Sequence, residues 1–108
     1  MTIRKHITVI GKIGNQTNMV HFTNGKTLTR FSISSIKKQR NNQGKWVNSL
    51  QWHNLFAWNS LAEYILENAQ KGKSVAVQGK LMDRTYTNRS GVRKKITEIE
   101  VKHIIGLN

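Results

Sequence analysis

Aromatic side chains recur at alternate positions in the segment 46–58. Alternation of this kind predicts a β-strand, in which every second side chain lies on the same face of the sheet. The side chains on one face are Trp52, Asn54, Phe56 and Trp58. The opposite face has Leu55 and Ala57, which suit a core, so we expect the tryptophan face to be open to solvent. Exposed rings stack on unpaired bases of any sequence, and this face therefore predicts binding of single-stranded nucleic acid.

A second predicted strand interleaves positive charge with an aromatic ring. Lys80, Arg84 and Tyr86 fall on the same face of that strand, where the cations would reach phosphates and the ring would reach a base. Further cations follow in the neighbouring loops, and Lys71 and Lys73 flank the glycine at a predicted helix end. At that end they would also complement the helix dipole, which is the structural alternative.

The composition agrees with a polyanionic partner and excludes several chemistries. Eighteen Lys and Arg against five Asp and Glu give a formal net charge of +13 over 108 residues. Such an excess favours nucleic acid, because neutralised phosphates release counterions. The absence of cysteine excludes disulfides and thiolate sites, and five carboxylates with four dispersed histidines argue against a metal or a cofactor. No apolar run is long enough to cross a membrane, and we expect no export signal.

The elements that would position these residues are strands with a single helix. Alternation predicts strands that end near Gly14, span 19–22 and 27–36, cover 46–58, and span 75–86 and 96–105. Asn24-Gly25 and residues 88–91 predict hairpin turns, and residues 37–45 predict a loop. Ser60 and Glu63 form a capping-box pattern that predicts a helix over 60–71. We expect one domain, residues 1–108, that is all-β with one helix: a five-stranded OB-fold Greek-key barrel, with an SH3-like barrel as the alternative.

The segment QWHNLFAWNSLAEYILENAQKGKSVAVQGKL resembles the bacterial single-stranded DNA-binding proteins (SSB). The sequence Val-Ile-Gly-Lys-Ile-Gly near the N-terminus, the Asn24-Gly25 turn and the Thr97-Glu98 pair agree with that family in order and spacing. The resemblance covers nearly the whole chain. It implies an OB fold that binds single-stranded DNA without catalysis and with little sequence preference, in replication, recombination and repair.

The resemblance also assigns roles to individual positions. It implies that Trp52, Trp58 and Tyr86 stack on bases and that Lys71 and Arg84 contact phosphates. His53 falls at a family subunit interface, to which we also assign Ile7 and Val9. An aromatic residue that is usual in the family is absent near Gln39, and Trp46, seven residues later, would substitute for it. Asn54 stands where a basic residue is common. The complete candidate set for nucleic-acid binding is Lys12, Lys45, Trp46, Trp52, Asn54, Trp58, Lys71, Lys73, Lys80, Arg84 and Tyr86.

The resemblance further implies a homotetramer, with a dimer as the alternative, in the cytoplasm of a bacterium and associated with its nucleoid. Full-length relatives recruit protein partners through an acidic, Phe-terminated tail that this sequence lacks, so we expect a truncated form or a tailless form from a plasmid, phage or mobile element. Three alternatives stay open: a dimeric primosomal restart protein of the same fold, an RNA-binding OB module, and a nuclease that uses His53 with Asp83 or Glu98.

Overall fold

The computed structural model describes residues 2–16 and 19–107. The helix and strands are β1 (Thr2–Gln16), β2 (Val20–His21), β3 (Thr27–Arg40), β4 (Trp46–Trp58), α1 (Asn59–Asn68), β5 (Ser74–Thr87) and β6 (Arg93–Gly106). All described strand pairs are antiparallel except β4 with β6, where Leu55 pairs with Ile99 in parallel.

The strands close into a barrel because β1 belongs to both sides of the sheet. Its first part pairs with β5, from Thr2 to Lys12, and its last part pairs with β3, from Lys12 to Gln16. The closed order is β1-β5-β6-β4-β3 and back to β1, with the two-residue strand β2 outside it on β3. A five-stranded barrel with the helix between its third and fourth long strands confirms the OB-fold prediction.

The core follows the alternation that the sequence predicts. On β5, Val75 and Val77 face inward, and on β4 Leu55 and Ala57 do the same, each with at most 2% of its surface exposed. Helix α1 covers one end of the barrel with Ala62 and Ile65, both completely buried. The alternate side chains of the same strands point away from the core and form the outer surface of the barrel.

The hairpins extend further than predicted. Strand β3 continues to Arg40, so the predicted loop 37–45 is a strand end followed by a tight turn. The Asn41 side chain closes that turn, because its Oδ1 accepts the backbone N–H groups of Gln43 at 2.9 Å and Lys45 at 3.0 Å. Asn88 Oδ1 closes the β5–β6 turn in the same way, on Ser90 and Val92. Both hairpins therefore project from the barrel as ordered ribbons.

The capping-box prediction for the helix is wrong. Trp58 occupies the N-cap position with no side-chain cap hydrogen bond, and the helix begins at Asn59 rather than Ser60. Asn59 has a positive φ of 55°, and its Oδ1 accepts the N–H of Thr27 at 3.1 Å. A contact with β3 thus sets the entry into the helix. The helix also ends at Asn68, before Lys71, and a turn follows.

Candidate nucleic-acid interface

The outer side of β3 and β4 forms a continuous surface, which we call the aromatic face. Antiparallel pairing places Trp52 opposite Ser34, Asn54 opposite Ser32, and Phe56 opposite Arg30. The residues of the aromatic face are Arg30, Ser32, Ser34, Trp52, Asn54, Phe56 and Trp58.

Trp52 is the most open ring on this face, with 57% of its surface exposed. Its indole lies over Gly14 of β1, where a Cβ would come within 2.4 Å of the ring carbon Cζ3. The missing side chain of Gly14 therefore lets the indole rest against the backbone of β1. The prediction that Trp52 faces solvent is confirmed.

Trp58 is half-buried in a group of aromatic rings at the other end of the face. Phe22 lies 5.9 Å from it between ring centroids and Phe56 lies 6.3 Å away, edge to face. Lys26 Nζ lies 5.9 Å above the Trp58 ring. Phe56 is buried and Phe22 is 42% exposed, so Phe22 and Trp58 are the solvent-accessible rings of this group.

Two further rings stand on the projecting hairpins. Trp46 is 64% exposed on the β3–β4 hairpin, and the guanidinium of Arg40 lies 4.8 Å from its ring centroid. This cation–π contact gives the ring a definite position at the end of a ribbon. Tyr86 is 41% exposed on the β5–β6 hairpin and pairs across the strands with Lys94.

Between the aromatic face and β5 lies a groove of about 340 Å³ with a buried carboxylate in its wall. Glu98 is only 4% exposed, and its Oε1 accepts the Nε–H of Arg84 at 2.6 Å. Arg30 Nε lies 3.6 Å from the other carboxylate oxygen. The carboxylate fixes two guanidinium groups beside Asn54 at the edge of the groove. Arg84 is therefore held in place by an ion pair through its Nε, and its contact with a phosphate stays a prediction.

The predicted lysines are distributed around the barrel rather than gathered on one face. Lys12 and Lys45 are exposed, on β1 and beside the β3–β4 turn. Lys71 is exposed in the turn after α1, and that turn hydrogen-bonds the backbone of Ile13, next to Gly14. Lys73 Nζ donates to the Asn68 carbonyl at 3.1 Å, which is the helix-end role that the sequence offered as the alternative. Lys80 lies on β5, paired with His6 of β1 and with Glu100 of β6.

The predicted interface residues divide into two groups. Val9 is buried in the core, because its position in the alternation directs its side chain inward, and Ile7 packs against that core. The prediction that the Val9 side chain contacts a partner subunit is therefore wrong. His53 is partly buried, and its Nε2 lies 3.0 Å from Ser35 Oγ. Burial lowers the pKa of His53, which keeps the imidazole neutral.

Sequence reasoning did not single out Phe22, Arg30 or the buried position of Glu98. Phe22 precedes the Asn24-Gly25 turn, and an apolar residue beside a turn was the only signal for it. Arg30 lies at an outward position of β3, which the strand alternation alone identifies. The sequence predicts Glu98 as part of the Thr97-Glu98 pair and as a nuclease candidate, whereas the structure shows it bound by two arginines; Asp83 pairs with Lys95 and Thr97.

The arrangement suits binding rather than group transfer. His53 contacts Ser35, Glu98 accepts a hydrogen bond from Arg84, and Asp83 accepts one from Thr97. The nuclease alternative needs His53 to pair with one of these two carboxylates, and these contacts do not form that pair. Among the described residues, no group of three His, Asp or Glu side chains is placed to hold a metal. Within the same residues, no helix has the length and apolarity of a membrane span.

Comparison with known proteins gives a consistent result. The model of the single-strand binding protein family matches residues 4–107. The Neisseria meningitidis single-stranded DNA-binding protein is 26% identical over 111 residues, which cover all of this chain and 63% of the relative. Its Bacteroides thetaiotaomicron counterpart is 28% identical over 106 residues, 96% of this chain and 65% of the relative. The structure of the Plasmodium falciparum SSB complex with ssDNA superposes with a TM-score of 0.85 at 24% identity, over the full length of both chains.

Proposed function

The chain belongs to the single-strand binding protein family, and from this premise we propose that it binds single-stranded DNA without catalysis and with little sequence preference. The observation that carries the proposal is the indole of Trp52, 57% exposed on the outer side of the barrel. A ring held open to water on a rigid strand offers a π-face to any unpaired base.

Stacking and charge supply the two parts of the binding free energy. Trp52, Trp58 with Phe22, and Tyr86 provide rings, and each base stacked on such a ring contributes about 1–3 kcal/mol. Lys26, above the Trp58 ring, and the two arginines of the groove provide cations on the same side of the barrel. Phosphate neutralisation makes this second contribution decline with salt. Trp46, at the end of its ribbon, would reach a base beyond the barrel.

The chain spans less than two-thirds of the length of the curated relatives it matches, 63% of one and 65% of another. For the whole protein we propose a role in replication, recombination and repair. We also propose that it recruits other proteins through an acidic tail. The bacterial source of these relatives supports a location in the bacterial cytoplasm.

We also propose that copies of the chain associate, as a homotetramer or at least a dimer. In the described residues, pairing of β1 with β3 begins at Lys12, so residues 2–11 present an open strand edge. An apolar row, Ile10 and Ile105 with Ala76 between them, lies on the adjoining outer face, and both isoleucines are at least 60% exposed. Ile36 and Leu50 add exposed apolar surface nearby. Edge pairing and burial of this row would each join two copies.

The experiment is a titration with oligo-dT that follows tryptophan fluorescence, with matched duplex DNA and matched RNA at the same ionic strength. We expect quenching by oligo-dT that weakens with salt, and weaker binding of duplex. Equal affinity for single strands and duplex would contradict the proposal, and a preference for RNA would favour the RNA-binding alternative. Mass in solution separates a tetramer from the dimer expected of a primosomal restart protein.

A further inference from the structure

Glu98 is a carboxylate that is buried at an outward position of the barrel. Ile99 and Val101 of the same strand face the core, so the alternation of β6 directs the Glu98 side chain to the outside. Only 4% of Glu98 is exposed all the same. A charged side chain on the outside of a sheet is buried only where other groups cover it and pair with it. Two arginine side chains do so here.

The two arginines reach Glu98 from opposite sides. Arg84 comes from the neighbouring strand β5, and its Nε–H donates to Glu98 Oε1 at 2.6 Å. Arg30 comes from β3, which is separated from β6 by β4, and its Nε lies 3.6 Å from Glu98 Oε2. One carboxylate thus holds two guanidinium groups from distant strands side by side. The group of three keeps one positive charge in excess.

Both contacts with the carboxylate are made through Nε, which is one of several donors on each guanidinium. A guanidinium has five N–H donors in a planar fork, and that fork matches the oxygens of a phosphate. The Arg84 side chain is still 36% exposed and the Arg30 side chain 47% exposed. Both line the groove of about 340 Å³ beside the aromatic face. The two arginines are therefore fixed by the carboxylate and still accessible to an anion in the groove.

The groove lies between the two sets of accessible rings on β4. Asn54, in the wall of the groove, stands on the same face of β4 as Trp52 and Trp58. Along the strand it is about 7 Å from Trp52 and about 13 Å from Trp58. A DNA strand whose bases stack on both tryptophans has to cross the groove, so the backbone between those bases passes the two arginines.

We propose that Glu98 is a positioning residue for DNA binding, which holds Arg30 and Arg84 where they bind one phosphate between the bases on Trp52 and Trp58. This inference rests on the proposed function and deepens it. Without the carboxylate the two guanidinium groups repel each other and separate. A negative charge in the interface therefore strengthens the binding of a polyanion, which is the opposite of its direct Coulomb effect on DNA.

The test is the affinity of E98Q for labelled oligo-dT, measured by anisotropy in the full chain at several salt concentrations. The matched control is E100Q, which removes the same charge from the next outward position of β6. There the carboxylate binds Lys102, with Nζ at 3.1 Å from Oε2, rather than an arginine. Thermal unfolding and mass in solution establish that each variant folds and assembles like the original chain at the temperature of the titration.

We expect E98Q to bind oligo-dT about tenfold more weakly, although its net charge rises by one, because a charge-assisted contact with a phosphate is lost. Its slope of log affinity against log salt should decrease in magnitude by about 0.7, the contribution of one phosphate on a single strand. E100Q should bind at least as tightly as the original chain, with no decrease in slope. Partial unfolding would lower the fraction of protein that binds and leave the slope unchanged, so the slope separates positioning from a loss of folded protein.

The variant E98D carries the same test if E98Q does not fold. It keeps the charge and withdraws the carboxylate by one methylene group, so a purely electrostatic role predicts unchanged binding. Positioning predicts weaker binding and a smaller salt slope.

Binding by E98Q that is equal to or tighter than that of the original chain would overturn the proposal. So would the same loss from E98Q in an R30Q/R84Q background, since the carboxylate would then act through something other than the arginines. The variant W52A separates this failure from failure of the proposed function. If W52A weakens binding while E98Q does not, the function stands and the role of Glu98 falls; if the original chain does not bind oligo-dT, the proposed function itself falls.

Discussion

The indole of Trp52 lies over Gly14, so that a Cβ on Gly14 would come within 2.4 Å of the ring and 2.7 Å of Ser32 Oγ. A glycine on β1 thus determines the height at which a ring on β4 stands above the sheet. The two residues are far apart in sequence and meet only because β1 crosses β3 where the barrel closes.

The first prediction is that G14A weakens binding of oligo-dT by displacing the Trp52 ring. Overpacking of this kind costs about 1–3 kcal/mol of stability, and we expect a loss of affinity up to that of removing the ring. A double-mutant cycle with W52A is the measurement, by anisotropy of labelled oligo-dT. If Gly14 acts through the indole, G14A adds no further loss in the W52A background. Additive losses would contradict this mechanism.

The second prediction uses the two tyrosines of the chain, which are similarly exposed. Tyr86, 41% exposed, stands on the β5–β6 hairpin, and Tyr64, 46% exposed, stands on the outer side of α1. We expect Y86A to weaken binding of oligo-dT by about 1–3 kcal/mol through lost stacking, and Y86F to preserve it. The matched control Y64A should bind like the original chain. Equal effects of Y86A and Y64A would remove Tyr86 from the site.

The third prediction concerns the carboxylate that is bound by two arginines. Because Glu98 is 4% exposed and accepts the Nε–H of Arg84, E98Q should lower the free energy of unfolding by about 1–3 kcal/mol in urea. The control E63Q changes an exposed carboxyl on α1 and should stay within about 0.5 kcal/mol. Equal stability of E98Q and the original chain would show that Glu98 does not hold the arginines in place.

The fourth prediction is a pH dependence of stability that arises from His53. Burial lowers its pKa from the ordinary value of 6.5, so the unfolded chain takes up this proton at a higher pH than the folded chain. Stability should therefore fall as the pH decreases through 6.5, until the lower folded pKa is passed. Urea unfolding between about pH 7.5 and about pH 5.5 measures it. H53Q keeps an amide for Ser35 and should lose less stability over this interval; identical pH profiles would contradict the assignment.

The sequence predicted the barrel well because alternation is strong wherever a strand covers the core. It predicted β4 with the bounds that the structure has, since inward Leu55 and Ala57 alternate with outward rings. It missed Lys37–Arg40 and Arg93–Lys95 as strand, because both faces of a projecting ribbon meet solvent and no apolar period remains. Backbone pairing alone extends those strands.

The candidate site was predicted in its rings and less well in its charges. An exposed ring follows from the face of its strand, whereas the partner of a charge depends on contacts between distant segments. Arg84 and Glu98 meet diagonally across β5 and β6, because the register pairs Glu98 with Met82, two residues before Arg84, and Arg30 joins them from β3. Such a network leaves no local signal in the sequence.

The most direct measurement of the central claim is the affinity of W52A for oligo-dT, by anisotropy at a fixed ionic strength, beside its thermal unfolding. Because the indole is exposed, we expect W52A to fold normally and to lose about 1–3 kcal/mol of binding free energy on every base sequence. A variant that folds and binds with the original affinity would contradict the claim that bases stack on this ring.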